Sequence, residues 1–461
     1  MHTTLSADPF EATLPPGTYL LTAERGKEYL STTRTVIVGE GTSEVNLALR
    51  RWEDMNKRGW FSGETHVHRP VRDLPTLMKA EELNVAFPLT AWVARAEETP
   101  LRNNRNPEIV PQRTLIEVEP ARVIWPVNTE YEINSVKGQR HPIGALFVLN
   151  HSDPLDFSSP PVGAMVKEAR SQGAFFDLDK HNWPWSMMLV PVAGVDLYEL
   201  TNNHIWRTDF AFTTWYTEYA PEFMEIERDG EEGITERGWI DWGFKNYYAL
   251  LNCGFRIMPS AGTASGVHPV PFAFGRVYVK VDGEFSYEKW VESLLAGNSF
   301  VTTGPMIEVT MGGMDPGSHI PIGEGESIPF LDLEGEVRSA DPIEWVEIIQ
   351  NGVVQQRVKS TAKPIDGVYT QVFGLSAAGA VSSWWAVRVF ARTAEGRIRF
   401  AHSAPFFVDV AGKPQKPKRH EVEYLLQRVE DEIERHDGVL SVEAVDEFRE
   451  AARFYRELLS R

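Results

Sequence analysis

The run Gly59-Trp60-Phe61-Ser62-Gly63-Glu64-Thr65-His66-Val67-His68 carries two imidazoles separated by a single residue. Its composition is strand-like, and side chains at i and i+2 of a strand share one face. His66 and His68 can therefore converge on one point. Neutral imidazole is the commonest nitrogen ligand for zinc and similar ions, so the pair reads as two ligands of one cation. The plainer alternative is a solvated strand face that happens to carry two histidines.

Four other segments offer complementary groups. In Asn128-Thr129-Glu130-Tyr131-Glu132-Ile133 the two carboxylates share a strand face, and either could bridge metals or orient their ligands. His141 stands at the entrance to the apolar run 143–149. In residues 173–185 an apolar strand gives way to Asp179-Lys180-His181-Asn182-Trp183, a polar turn at a strand end, where α/β barrels keep their catalytic groups. His268 follows a stretch of small residues, 258–267, that permits close backbone approach to a ligand. Glu199 ends another apolar strand, 195–200, and faces the same cavity in this reading; the nearby His204 is read as an outer or surface histidine.

Taken in order, these segments resemble the PHP (polymerase and histidinol phosphatase) superfamily, and within it the CehA/McbA branch of metallohydrolases. The likeness covers roughly residues 52–312. It is most specific at Trp60-Phe61-Ser62-Gly63-Glu64-Thr65-His66-Val67-His68 and at Ala296-Gly297-Asn298-Ser299-Phe300-Val301-Thr302-Thr303-Gly304-Pro305. The resemblance implies metal ligation by His66, His68, Glu130, His141, His181 and His268, with Glu132 as the fallback carboxylate. It also implies export from the cell, although no signal peptide is visible in this chain. Two departures stand out. Where the family has T-D-H, this chain reads Pro88-Leu89-Thr90-Ala91-Trp92, and the aspartate of the family's S-D loop appears as Ala264 or Ser265. Fewer ligands imply one or two divalent ions (Zn, Mn or Fe) rather than three.

A nitrogen-and-oxygen ligand set of this kind suits such ions, and an open coordination position turns bound water into a nucleophile near neutral pH. With the loop aspartate missing, Glu64, Glu132, Asp179 and Lys180 are the candidates to orient that water. The implied activity is hydrolysis of an ester, carbamate or phosphoester in a small-molecule substrate. Two other readings stay open: a catalytically weakened binding protein for a small ligand or carbohydrate, and a structural assembly module.

Composition narrows the field. The 461 residues carry a formal net charge of −19, which repels nucleic acid. A single cysteine, Cys253, excludes a disulfide framework and a cysteine-ligated metal site. No apolar run is long enough to span a membrane as a helix.

The elements that must position these residues fall into four segments. Residues 1–51 alternate as a β-sandwich-like piece. Residues 52–305 alternate strands and helices, which means α/β with a largely parallel sheet; the resemblance implies a distorted (β/α)7 barrel. Residues 306–411 are strand-rich and suit a β-sandwich, with an Asn351-Gly352 hairpin signal. Residues 412–461 are a linker and a helical hairpin. Its apolar stripe (Val422, Leu425, Leu426, Val429, Ile433) must dock on the chain's own sandwich or on another subunit.

Overall fold

The computed structural model describes residues 4, 9–41, 44–102, 113–206, 216–231, 233–324, 330–378 and 380–460. It is a mixed α/β protein with several sheets and a C-terminal helix pair.

The strand Trp60–Val67 is buried along its whole length. Gly59 launches it from a left-handed conformation, φ +80°, after one turn of 3-10 helix. One edge pairs parallel with Val85–Pro88 and the other antiparallel with Arg276–Lys280. Gly63 is needed at the centre of the strand: a β-carbon there would strike the Trp290 ring, whose Nε1 donates to the Phe61 carbonyl at 2.9 Å. Trp290 belongs to the helix Tyr287–Ala296, where Tyr287, Trp290, Val291 and Leu294 form one buried stripe at helical spacing. Ser286 caps its start and Gly297, φ +83°, its end.

A second, seven-stranded sheet runs in the order Met258–Ala261, Leu197–Thr201, Phe175–Leu178, Gln139–Leu149, Thr129–Val136, Ala91–Arg95, Leu101–Arg102. Its pairing is mixed. Thr129–Val136 and Gln139–Leu149 form an antiparallel hairpin, whereas Leu197–Thr201 is parallel to both of its neighbours. Among the described residues, the ladders do not close into a single barrel. The two sheets are instead sutured along residues 261–265. Thr65 Oγ1 donates to the Ala261 carbonyl at 3.2 Å, Ala264 N to the His66 carbonyl at 2.9 Å, and His68 N to the Ser265 carbonyl at 2.9 Å.

The sheet containing Trp60–Val67 continues past residue 305. Ser299–Thr302 pairs with Ile398–Ser403, and Ser383–Arg392, Phe406–Val410 and Ile343–Gln350 follow. A three-stranded sheet, Met306–Met311, Phe330–Ser339 and Tyr369–Ala378, covers it through a core that includes Ile307, Leu333, Val346, Val387 and Phe406. The strand-rich segment is therefore joined to the α/β segment by ladder hydrogen bonds. The Asn351-Gly352 turn has both residues at positive φ, +48° and +79°, as a two-residue hairpin requires.

The helices Arg419–His436 and Val442–Ser460 pack on the α/β segment of their own chain, with Val422, Leu425 and Val429 buried. Arg428 donates to the carbonyls of His181 and Trp183 at 2.6 and 2.7 Å. Tyr455 Oη donates to the Met187 carbonyl at 2.9 Å, and Glu447 accepts from Val162 N.

Candidate metal centre

His66 and His68 point the same way from their strand, and their Nε2 atoms lie 3.2 Å apart. Glu130, from the other sheet, places Oε2 3.3 Å from His68 Nε2. Ligands of a tetrahedral ion bound at 2.0–2.1 Å are separated by about 3.3–3.4 Å, so these spacings are those of a ligand set. Among the described residues Glu130 Oε2, which is buried, has no hydrogen bond, so its approach to His68 is not a conventional pairing. A cation would give that oxygen the partner that burial otherwise denies it.

The other ring nitrogen of His66 is held separately. His66 Nδ1 lies 2.9 Å from Glu199 Oε1 and 3.8 Å from Asp179 Oδ1. Hydrogen-bonding of one ring nitrogen to a carboxylate fixes the tautomer and turns the opposite nitrogen toward a metal. His66, Asp179 and Glu199 also form a second buried group close enough to hold an ion.

Electrostatics support the same assignment. Burial, reinforced by His68 and Lys180, pushes His66 well below its usual pKa, so the ring is in its neutral, ligating form. Burial pushes Glu130 and Glu199 well above the carboxylate range. Asp179 goes the other way: the Lys180 ammonium overcomes its burial and holds it low. Among the described residues, Lys180 is the single cation in a group that includes Glu130, Glu132, Asp179 and Glu199. Four carboxylates around one ammonium leave an excess of potential negative charge that a divalent ion would offset.

The remaining candidate residues are placed as follows. Glu132 shares the strand face of Glu130; burial raises it to about 7, with Lys180 pulling the other way. Glu64 turns to the loop instead, accepting from Thr263 N at 3.0 Å, Ala273 N at 2.7 Å and the Thr263 hydroxyl. Burial still lifts it to about 8. His268 is part-buried in that loop, near enough to lower His66, but it is not in either ligand group.

His141 does not reach the site. Its hairpin runs antiparallel, with Glu130 opposite Phe147, so His141 lies six residues farther along the strand, roughly 20 Å away. Its Nε2 instead meets His436 Nδ1 at 2.9 Å. His181 is buried with its ring against Trp239 and Trp242, centroids 4.8 and 4.6 Å away, and is in neither ligand group. His204, expected farther out, is also buried against Trp239. Asp177 was not singled out in the sequence. It is fully buried two residues before Asp179, accepts from Ser260 Oγ at 2.6 Å, and is lifted to about 7 by burial. The alternation of Asp177 with Asp179 was the available signal.

No family model matches the chain, and no curated protein matches it. One solved structure is similar, that of a two-domain protein from Bacteroides vulgatus containing a predicted PHP-like metal-dependent phosphoesterase. It shares 10% identity over 76% of this chain and 94% of that chain, with a TM-score of 0.35, a distant structural resemblance.

Proposed function

We propose that this protein is a metal-dependent hydrolase acting on an ester-type bond: a carboxylic ester, a carbamate or a phosphoester. The observation that carries the proposal is the spacing of His66 Nε2, His68 Nε2 and Glu130 Oε2, with Glu130 Oε2 buried and lacking a hydrogen bond among the described residues. A bound divalent ion supplies an activated water and polarises the group under attack. The chain's own residues do the rest. Glu199 orients His66, and Lys180 neutralises Asp179. To Glu132, which burial lifts to about 7, we assign the role of accepting a proton near neutral pH.

The second reading, a binding protein for a small ligand, draws on the absence of His141, His181 and His268 from the ligand groups. One experiment separates the two. Metal content of the purified protein is measured beside that of a His66→Ala/His68→Ala variant, and hydrolysis of bis(p-nitrophenyl) phosphate and p-nitrophenyl acetate is followed with and without EDTA. Hydrolysis that EDTA and the double substitution both abolish supports the enzyme. Stoichiometric metal without turnover favours the binding protein, and metal-free wild type rules out the metal centre.

A further inference from the structure

The strand Tyr369–Ala378 lies at one edge of the three-stranded sheet. It pairs along its full ten residues with Phe330–Ser339, without a register shift. Along its other edge no ladder forms among the described residues. The Val372 carbonyl is met by the side chain of neighbouring Gln371, at 2.7 Å. Native sheets usually blunt such an edge with charge, proline, a bulge or shortness. Other edges of this protein follow that rule. Met306–Met311 is six residues long and carries Glu308, and Val353–Lys359 carries Arg357 and Lys359. Tyr369–Ala378 is long and regular, with neither a charged residue nor a proline.

The face beside that edge has a definite character. Alternation turns Thr370, Val372, Gly374, Ser376 and Ala378 outward, and Val372 is 65% exposed. The register sets Glu308, Glu336 and Val372 in one row, and Thr310, Glu334 and Gly374 in the next. Glu308, Thr310, Glu334, Glu336 and Val372 line an open groove of about 470 Å³. Glu308 pairs with Arg58, and Glu336 is 4.0 Å from Arg338, whereas Glu334 has no ion pair among the described residues. Gly374 puts no side chain between Glu334 and the edge. A further strand would lie one spacing beyond Gly374, and thus about 9.6 Å from Glu334, two spacings of about 4.8 Å. A long basic side chain laid over Gly374 closes that gap together with the glutamate.

We propose that Tyr369–Ala378 is a docking edge for an extended segment of another protein, which adds as a fourth strand and sets an arginine or lysine over Gly374 against Glu334. Main-chain hydrogen bonds along the edge supply the affinity, and the side chain that reaches the groove supplies the selectivity. Charge complementarity selects a basic partner and disfavours an acidic one. A second copy of this chain does not fit that requirement. Two copies each carry a net charge of −19, and the same strand in a copy offers no basic residue. The edge belongs to the strand-rich segment, so the inference does not depend on the metal centre.

The test uses the full-length protein and two fluorescein-labelled strand peptides, SVTVRVTVS and SVTVEVTVS, which differ only in the central charge. Fluorescence anisotropy is expected to show the arginine peptide binding roughly tenfold tighter, with the difference shrinking as salt is added. Glu334→Gln should remove most of that preference. Gly374→Val should weaken the arginine peptide by filling the space above the strand. Its added β-carbon meets the Leu333 carbonyl at 3.6 Å and the Glu334 β-carbon at 3.7 Å, both ordinary contacts, so its melting temperature should stay that of the wild type. Equal binding of the two peptides by the wild type, or binding of neither, overturns the proposal. A wild type that sediments as a dimer and binds neither peptide assigns the edge to a second copy, which overturns it as well.

Discussion

His66 Nδ1 and Glu199 Oε1 lie 2.9 Å apart although 133 residues separate them in the chain. The contact spans the two sheets and decides which nitrogen of His66 faces His68. Carboxylates in this position typically alter metal affinity by 10–100-fold. Glu199→Gln is therefore expected to weaken Zn2+ binding by about that factor in competition with a chromophoric chelator, with the far-UV circular dichroism unchanged. Unaltered affinity would remove Glu199 from the site.

Gly262 lies between the same two side chains. A β-carbon there would collide with Glu199 Oε1 and the His66 β-carbon. Gly262→Ala should fold yet lose most of its bound metal, as read by elemental analysis. Gly39→Ala, where no atom lies within 4 Å of the added carbon, is the matched control and should retain it.

Glu64 holds the loop over the ligands through two backbone amides, those of Thr263 and Ala273. Truncation removes the acceptor of the Ala273 amide and leaves Thr263 N only its 3.4 Å contact with the His66 carbonyl. Glu64→Ala is expected to cost roughly 2–4 kcal/mol in urea denaturation. A change below 0.5 kcal/mol, the range usual for surface substitutions, would show that the loop holds itself.

Acid should loosen the docked C-terminal helices. Burial and the neighbouring Arg435 and His436 lower His141 to about 4 in the folded protein, against about 6.5 for an unconstrained imidazole. Between those values the unfolded chain binds more protons, so stability is full above about pH 6.5 and declines as pH falls toward 4. His436 is lowered too, by burial, despite Glu432 at 3.1 Å. The melting temperature of His141→Phe should fall less between pH 7 and pH 5 than that of the wild type. Parallel curves would assign the acid sensitivity elsewhere, for example to His402, which burial lowers to about 3.

The opening motif was legible because its information is local. Alternation along one strand places His66 and His68 together, and the same alternation in the hairpin offers Glu130. Asp179 and Glu199 were visible as polar residues at strand ends, but not as partners of His66, since that requires knowing how the two sheets meet. His141 shows the limit most plainly. Its place in the chain, soon after Glu130, suggests proximity, but an antiparallel turn carries it to the far end of the strand. The helix Tyr287–Ala296, with its serine cap and terminal glycine, was readable almost to its ends. A closed barrel was an expectation from resemblance, and hydrogen-bond closure is not a property that hydropathy encodes.

The suture between the sheets has a consequence for assembly. His66 and His68 come from one sheet, while Glu130, Asp179 and Glu199 come from the other. Neither half alone offers more than a weak, incomplete chelate. Ion capture would then act as a coincidence detector: it rewards only chains in which both halves have formed and met, and in which the 261–265 stitch has aligned them. Such a protein would gain resistance to unfolding at the moment it gains its reactive centre, so that maturation and competence become one event.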